Sequence, residues 1–130
     1  MSKTLVKIGT QWHFDGATEF RANRDTEGMW ICEGGTLYFA IRGSEPEPMD
    51  WMQNVAGYML PKKIEQGWAQ RAFWNKAREC LRYLDHARDI TQPARTILTG
   101  HSQGGAIALC LSYITSYEAV VFGAPRPFVK

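Results

Sequence analysis

A six-residue stretch late in the chain has the residue types and the spacing needed for nucleophilic catalysis. It runs from Gly100 to Gly105 (GHSQGG), and its first five residues fit the pattern G-x-S-x-G. In that pattern the serine lies on a sharp strand-to-helix turn, where glycines at 100 and 104 prevent a collision between neighbouring β-carbons. The turn exposes the Ser102 hydroxyl near the N–H groups and the positive dipole end of the next helix. Ser102 is therefore the candidate nucleophile for acyl transfer.

The segments that flank this motif have the composition that such a turn requires. Arg95 to Thr99 predicts a short strand, and Gln103 to Ile114 is an almost wholly apolar run of good helix formers. Glu118 to Phe122 (EAVVF) predicts another buried strand, which Gly123 ends. This context favours a strand, an abrupt turn and a helix over a glycine-rich helix start with an incidental serine.

The first third of the chain is predicted to be mainly strands and turns. Thr36 to Ile41 (TLYFAI) is typical of a buried strand, and Gly34-Gly35 before it predicts a tight turn. Met29 to Cys32 predicts a short strand, and Asn23 to Gly28 a polar turn region. Leu5 to Phe20 is only weakly patterned.

A long amphipathic helix is predicted between this region and the serine motif. After Gly67, apolar residues recur at helical spacing until Pro93, at Trp74, Ala77, Leu81 and Leu84. Strands that alternate with helices predict an α/β fold with a parallel sheet covered by helices. No internal repeat or linker divides the chain, so we expect a single domain over residues 1–130.

Composition excludes several classes of function. The net charge is +2 over 130 residues, which gives no reason to expect a nucleic-acid partner. Residues Met1 to Phe14 lack a signal-like apolar run, and no stretch is long enough for a transmembrane helix. Cys32, Cys80 and Cys110 suit neither a disulfide framework nor a zinc site, and reduced thiols favour a cytoplasmic location.

Four ordered stretches between Thr36 and Phe128 resemble the class 3 (fungal-lipase-like) lipase family. They are FAIRGSEPEPMDWMQNV, GWAQRAFWNKA, TILTGHSQGGAIAL and VVFGAPRPF. The resemblance implies an incomplete α/β-hydrolase-type three-layer sandwich with a mostly parallel sheet. It also implies a serine ester hydrolase that acts on acylglycerol-like carboxylic esters through an acyl-enzyme, without a metal or another cofactor.

The same resemblance implies roles for residues around the serine. Ser44 matches the residue that forms one half of the family's oxyanion hole, and the backbone N–H of Gln103 matches the other half. From its position alone, Ser44 could equally shape a turn before the prolines that follow it. Asp50-Trp51 matches a pair that we interpret as structural, with the carboxylate capping a helical turn. Two departures are Gln70 to Phe73, where the family has His-x-Gly-Phe, and Gln103, where leucine is usual.

The general base and the acid of a catalytic triad are not evident. Residues 103–130 contain no Asp and no His, and Glu118 is their only carboxylate. His13, His86 and His101 are the histidines of the chain, and none has the expected position after the serine. The resemblance implies that the acid and base follow the Gly-Ala-Pro-Arg stretch. We therefore expect a continuation or a second chain to supply an Asp and a His.

Three functional readings stay open at this point. The first is a lipase-like serine hydrolase, and the second is a catalytically inactive hydrolase scaffold that acts as a binding module. The third is a thioesterase or peptidase, because the nucleophile chemistry is the same for esters, thioesters and amides. Residues 52–66, rich in Met, Tyr and Leu, could face a substrate, although core packing also explains them.

Overall fold

The computed structural model describes residues 6–8, 11–13, 16–43, 61–64, 67–124 and 128–129. This part of the chain forms ten strands and two helices. The strands are β1 (Val6–Ile8), β2 (Gln11–His13), β3 (Thr18–Asn23), β4 (Thr26–Glu33), β5 (Thr36–Gly43), β6 (Pro61–Ile64), β7 (Gly67–Gln70), β8 (Arg95–His101), β9 (Glu118–Phe122) and β10 (Phe128–Val129). The helices are α1 (Arg71–Thr91) and α2 (Gln103–Thr115).

The central element is a five-stranded mixed sheet with the strand order β3-β4-β5-β8-β9. β3, β4 and β5 are antiparallel neighbours, whereas β5, β8 and β9 run parallel to one another. α2 connects β8 to β9, as a parallel pair requires a crossover. Two smaller antiparallel sheets have the orders β1-β2 and β10-β7-β6.

Both helices pack on one face of the five-stranded sheet. Alternate side chains of β5 and β8 point to this face, and Phe39 and Leu98 are fully buried there. α1 contributes a buried stripe at intervals of three or four residues: Phe73, Ala77, Cys80, Leu84 and Ala87. α2 is buried along most of its length, which explains why its sequence is apolar on nearly every side. Each large side chain buried here stabilises the fold by about 1.5–3 kcal/mol.

The other face of β9 carries exposed apolar side chains. β9 is the last strand of the five-stranded sheet, and Ala119 and Val121 pack towards the core. Val120 and Phe122 alternate with them and are 45% and 40% exposed. Because both helices lie on the core face, no helix among the described residues covers this second face. Val120 and Phe122 are therefore partly exposed on this second face of β9.

The predicted elements from Thr36 onward are confirmed where they bear on the serine motif. β5, β8, α2 and β9 occur where the sequence placed a strand, a strand, a helix and a strand. The Gly34-Gly35 turn is also present, with φ angles of 60° and 80° that favour glycine.

Two predictions for the elements before the motif were wrong in their bounds. β4 already begins at Thr26, because the buried Thr26 and the ion-paired Glu27 fit a strand in spite of their polarity. α1 begins at Arg71, since Gly67–Gln70 forms β7. The sheet is mixed and not parallel throughout, because β3 pairs with β4, and β4 with β5, in the antiparallel direction.

The cysteines are unpaired, and two of them are core residues as predicted. Cys80 lies on α1 and Cys110 on α2, and both are fully buried. Burial raises the pKa of the Cys110 thiol to about 12. Burial, with a smaller contribution from the charge of Glu79, also raises the pKa of Cys80 to about 12. Both thiols therefore stay protonated and unreactive at neutral pH.

Candidate active site

Ser102 occupies a one-residue turn between β8 and α2. β8 ends at His101 and α2 begins at Gln103, which confirms the predicted order of strand, turn and helix. The Ser102 N–H donates to the Phe122 carbonyl oxygen at 2.9 Å, and the Ser102 carbonyl accepts the Ala106 N–H at 3.1 Å. These two hydrogen bonds tie the turn to β9 on one side and to α2 on the other.

The backbone of Ser102 is strained, and its hydroxyl is left available. Its φ and ψ angles are 55° and −122°, a conformation that costs a non-glycine residue about 1–3 kcal/mol. Ser102 is the N-cap residue of α2, but its side chain makes no capping hydrogen bond. The residue is half-buried. A hydroxyl held by a strained turn and not used for capping is suited to nucleophilic attack.

Three glycines allow the backbone segments around Ser102 to approach closely. A β-carbon at Gly100 would lie 2.5 Å from the Gly104 carbonyl oxygen, and one at Gly104 would overlap the Ile41 carbonyl oxygen. Gly105 is equally constrained, because a β-carbon there would lie 2.8 Å from the Ala124 Cβ. Gly100 and Gly104 are the two glycines that the motif predicts, whereas the constraint at Gly105 was not predicted; its place directly after Gly104 was the available signal.

The start of α2 offers hydrogen-bond donors beside Ser102. The N–H groups of a helix's first turn have no acceptor within the helix, and here they include that of Gln103. The first turn has no acidic residue that would neutralise the positive end of the helix dipole. The Gln103 N–H is thus suited to stabilise a negative oxygen that develops next to Ser102.

The second predicted oxyanion residue, Ser44, lies outside the described residues, as does Asp50-Trp51. The strand that leads to Ser44 is described, and it lies against the motif. Ile41 of β5 is aligned with Gly100 of β8, and the first turn of α2 rests on the backbone of Ile41 and Arg42. β5 therefore ends beside the turn at Gly43, one residue before Ser44.

No general base is hydrogen-bonded to Ser102 within the described part of the chain. His86 is exposed on α1, and the His101 ring lies against Gly123, with its Nε2 atom 3.7 Å from an ideal β-carbon there. His101 follows Gly100 in β8, so its side chain points to the sheet face opposite α2. The side chain of His13 is outside the described set. The residues that the structure describes contain no group of three His, Cys, Asp or Glu side chains that could hold a metal ion.

Within the described residues, two buried polar atoms near the end of β5 have no hydrogen-bond partner. They are the Thr26 Oγ1 atom and the Gln103 Oε1 atom, in residues that are 0% and 6% exposed. Thr26 is aligned with Gly43 in the pairing of β4 with β5, and Gln103 precedes the glycine that rests on β5. An unsatisfied buried oxygen costs about 1–3 kcal/mol, so we expect each of these two side chains to lower the free energy of unfolding.

We expect Gln103→Leu to raise the free energy of unfolding by about 1–2 kcal/mol, because leucine removes the unpartnered amide oxygen at similar volume. The proposed role of Gln103 uses only its backbone, so reactivity at Ser102 should change little. Urea unfolding monitored by tryptophan fluorescence measures the change. Thr26→Val is the matched control, since it removes the other unpaired oxygen without touching the turn. A loss of stability in Gln103→Leu would mean that the amide has a partner.

Comparison with known proteins identifies a family that this chain matches. The family model described as Lipase (class 3) matches residues 38–126, which is more than half of the chain. A comparison with curated proteins finds no match. No helix among the described residues is long and apolar enough to cross a membrane.

Solved structures of fungal lipases share the fold. Lipase II from Rhizopus niveus superposes with a TM-score of 0.67 at 18% identity, over 84% of this chain and 48% of that chain. The Lip2 lipase of Yarrowia lipolytica gives a TM-score of 0.62 at 19% identity, over 83% and 44% of the two chains. The chain thus spans less than half the length of these lipases. With its strand, turn and helix around Ser102 and the family match over residues 38–126, this chain belongs to the class 3 lipase family.

Proposed function

We propose that the chain carries the nucleophile part of a serine ester hydrolase of the lipase type, which acts on acylglycerol-like carboxylic esters. The observation that carries this proposal is the backbone of Ser102. The residue is held at φ 55° between β8 and α2, and its hydroxyl is not used for capping. Strain of this kind clusters at functional sites, and here it lies in the motif that the family uses for catalysis, which supports the proposal.

The proposed reaction proceeds through an acyl-enzyme. The general base takes the hydroxyl proton as the Ser102 Oγ bonds to the ester carbonyl carbon, and the carbonyl oxygen becomes an oxyanion that the Gln103 N–H stabilises. Collapse of this intermediate breaks the ester bond, and the alcohol leaves with the proton that the protonated base returns to it. Water then hydrolyses the acyl-enzyme by the same steps. One oxyanion donor contributes about 3–4 kcal/mol to such a reaction, and we propose Ser44 as the source of a second.

The general base, a His, and the carboxylate that completes the triad, an Asp, are proposed to come from a continuation of this chain or from a second chain. Glu118 is unsuited to the role of the acid, because it starts β9 and pairs with Arg95 at the opposite end of β8 from Ser102. The fungal lipases that share the fold are more than twice as long as the part this chain matches. The exposed Val120 and Phe122 offer apolar surface beside β8 on which further polypeptide could pack.

Other readings of the same site remain as proposals. A thioester or an amide would meet the same nucleophile, so the geometry favours no single acyl group. A binding module is the second candidate function, because no base is hydrogen-bonded to Ser102 among the residues described.

We also propose that residues 1–130 belong to one domain. The unpaired cysteines support a cytoplasmic location, since reducing compartments keep thiols free.

Covalent labelling with a fluorophosphonate tests the proposed nucleophile. The Ser102 Oγ forms a bond to phosphorus, fluoride leaves with the hydroxyl proton, and mass spectrometry locates the adduct. We expect labelling of Ser102 and none in Ser102→Ala. The chain is tested alone and with any downstream coding sequence restored. An unlabelled Ser102 in both forms would contradict the proposal, whereas labelling without ester turnover would favour the binding module.

A further inference from the structure

We propose that Glu27 is a positioning residue for the turn at Ser102 between β8 and α2, here called the nucleophile turn, and that it acts through Arg42 at the end of β5. This inference rests on the proposed function, because it concerns reactivity at Ser102. Glu27 lies on β4, which is not adjacent to the strand that carries the serine motif. Its influence must therefore pass through β5, which lies between β4 and β8.

Glu27 joins three strands through two ion pairs. Its Oε2 atom accepts a hydrogen bond from Arg21 of β3 at 2.6 Å, and its Oε1 atom lies 3.2 Å from Nη1 of Arg42 on β5. The strand register puts both arginines directly opposite Glu27. The Glu27 side chain is 27% exposed, against 60% for Arg21 and 44% for Arg42. The carboxylate is therefore the shielded centre of a three-residue network.

Arg42 connects this network to the nucleophile turn. The first turn of α2 rests on the backbone of Ile41 and Arg42, since a β-carbon at Gly104 would lie 3.0 Å from the Arg42 Cα. Side chains alternate along β5, and Ile41 points to the core face that α2 covers. The Arg42 side chain consequently points to the opposite face, where Glu27 holds it. The backbone at Ile41 and Arg42 is thus contacted by α2 on one face of the sheet, while the ion pair with Glu27 holds the Arg42 side chain on the other face.

These contacts fix the position of the turn that carries the Ser102 hydroxyl and the Gln103 N–H. Movement at Arg42 would shift the support of α2, and with it the Gln103 N–H and Ser102. Small displacements of catalytic groups lower rates because attack and oxyanion binding need defined distances. Exposed ion pairs are weak singly, and a network with a shielded centre holds a strand end more firmly.

The experiment measures phosphonylation of Ser102 with the limiting rate (kinact) separated from probe binding (KI). We expect Glu27→Gln to lower kinact by about three- to fivefold with KI unchanged, which is the size expected for such ion pairs. Glu27→Asp, which keeps the charge, should restore part of the rate. In 1 M salt, where the Debye length is about 3 Å, wild type should approach the rate of Glu27→Gln.

The matched control is the ion pair between Arg95 and Glu118. It also joins neighbouring strands at 2.6 Å, and it lies at the far end of β8 from Ser102. Glu118→Gln should therefore leave kinact unchanged. All rates should be measured at a temperature at which unfolding curves, recorded for each variant, show it to be fully folded.

A double variant tests the route through Arg42. If Glu27 acts through Arg42, the pair Glu27→Gln with Arg42→Gln should react at the rate of Arg42→Gln alone. Equal kinact values for wild type and Glu27→Gln would overturn the inference and leave the proposed function intact. Absence of Ser102 labelling in wild type would overturn both.

Discussion

Replacing Ser102 by glycine is expected to make the protein more stable and to abolish its reaction with fluorophosphonates. Glycine adopts a positive φ without steric cost, so the strain at φ 55° and ψ −122° is released. We expect a gain of about 1–2 kcal/mol in the free energy of unfolding, reduced by the greater entropy of an unfolded glycine. Labelling should fall to background because the Oγ atom is absent.

Two further variants separate strain from chemistry. Ser102→Ala removes the hydroxyl and keeps the β-carbon, so it should lose labelling without gaining the stability of glycine. Ser116→Gly is the matched control for strain, because Ser116 at the end of α2 also has a positive φ of 68°. It should gain stability and keep full labelling. Equal stabilities of Ser102→Gly and Ser102→Ala would show that the turn stores no strain.

A gain in stability together with a loss of labelling in Ser102→Gly would explain why the turn carries a serine in spite of the backbone strain. A serine in this backbone conformation lowers the stability of the fold, and glycine would be the simpler choice for the turn. The hydroxyl is the group that glycine lacks, and the side chain does not compensate the cost by capping α2. A gain in stability with a complete loss of labelling would therefore identify the strain as the consequence of keeping a nucleophile there.

The turn at Ser102 was predictable because its determinants are local. Gly100 and Gly104 are two residues from Ser102, and the strand and helix that they join have distinct compositions. The ion-pair network was not predictable, since Glu27 and Arg42 meet only through the register of β4 with β5. The same register hides Thr26 in the interior, which a polar residue in sequence does not indicate.

The chemistry of Gln103 shows a second limit of the sequence. The backbone role that we propose for it follows from its place after Ser102, and Gln103 is the first residue of α2. That its side chain is buried with an unpaired oxygen depends on how closely the first turn of α2 approaches β5. Distances between elements of this kind arise from packing, which the composition of one element does not determine.

Gly104→Ala is expected to disrupt the site more than any other single methyl group. The added β-carbon would overlap the Ile41 carbonyl oxygen and lie 3.0 Å from the Arg42 Cα. Both contacts are with backbone, so no side-chain rotation relieves them, and α2 must move away from β5. Overpacking commonly costs about 1–3 kcal/mol, and we expect a loss at or above the upper end of this range.

The same movement should lower the reactivity of Ser102. α2 carries the Gln103 N–H, and its displacement would separate this donor from the oxyanion by more than a hydrogen bond permits. We expect the rate of phosphonylation to fall by about 100-fold or more, the loss seen when one oxyanion donor is removed. The rate should be compared at temperatures where circular dichroism shows that the variant keeps its helices.

Gly34→Ala is the control for the general effect of replacing a glycine. Its β-carbon would meet no atom within 4 Å, but its φ of +60° disfavours alanine by about 1–2 kcal/mol. It should therefore lose stability through backbone strain alone and keep the labelling rate of the wild type. If Gly104→Ala lost no more stability than Gly34→Ala and still reacted at the wild-type rate, α2 would not depend on its close contact with β5. In that event the end of β5 could not position the nucleophile, because the turn would tolerate displacement of its own support.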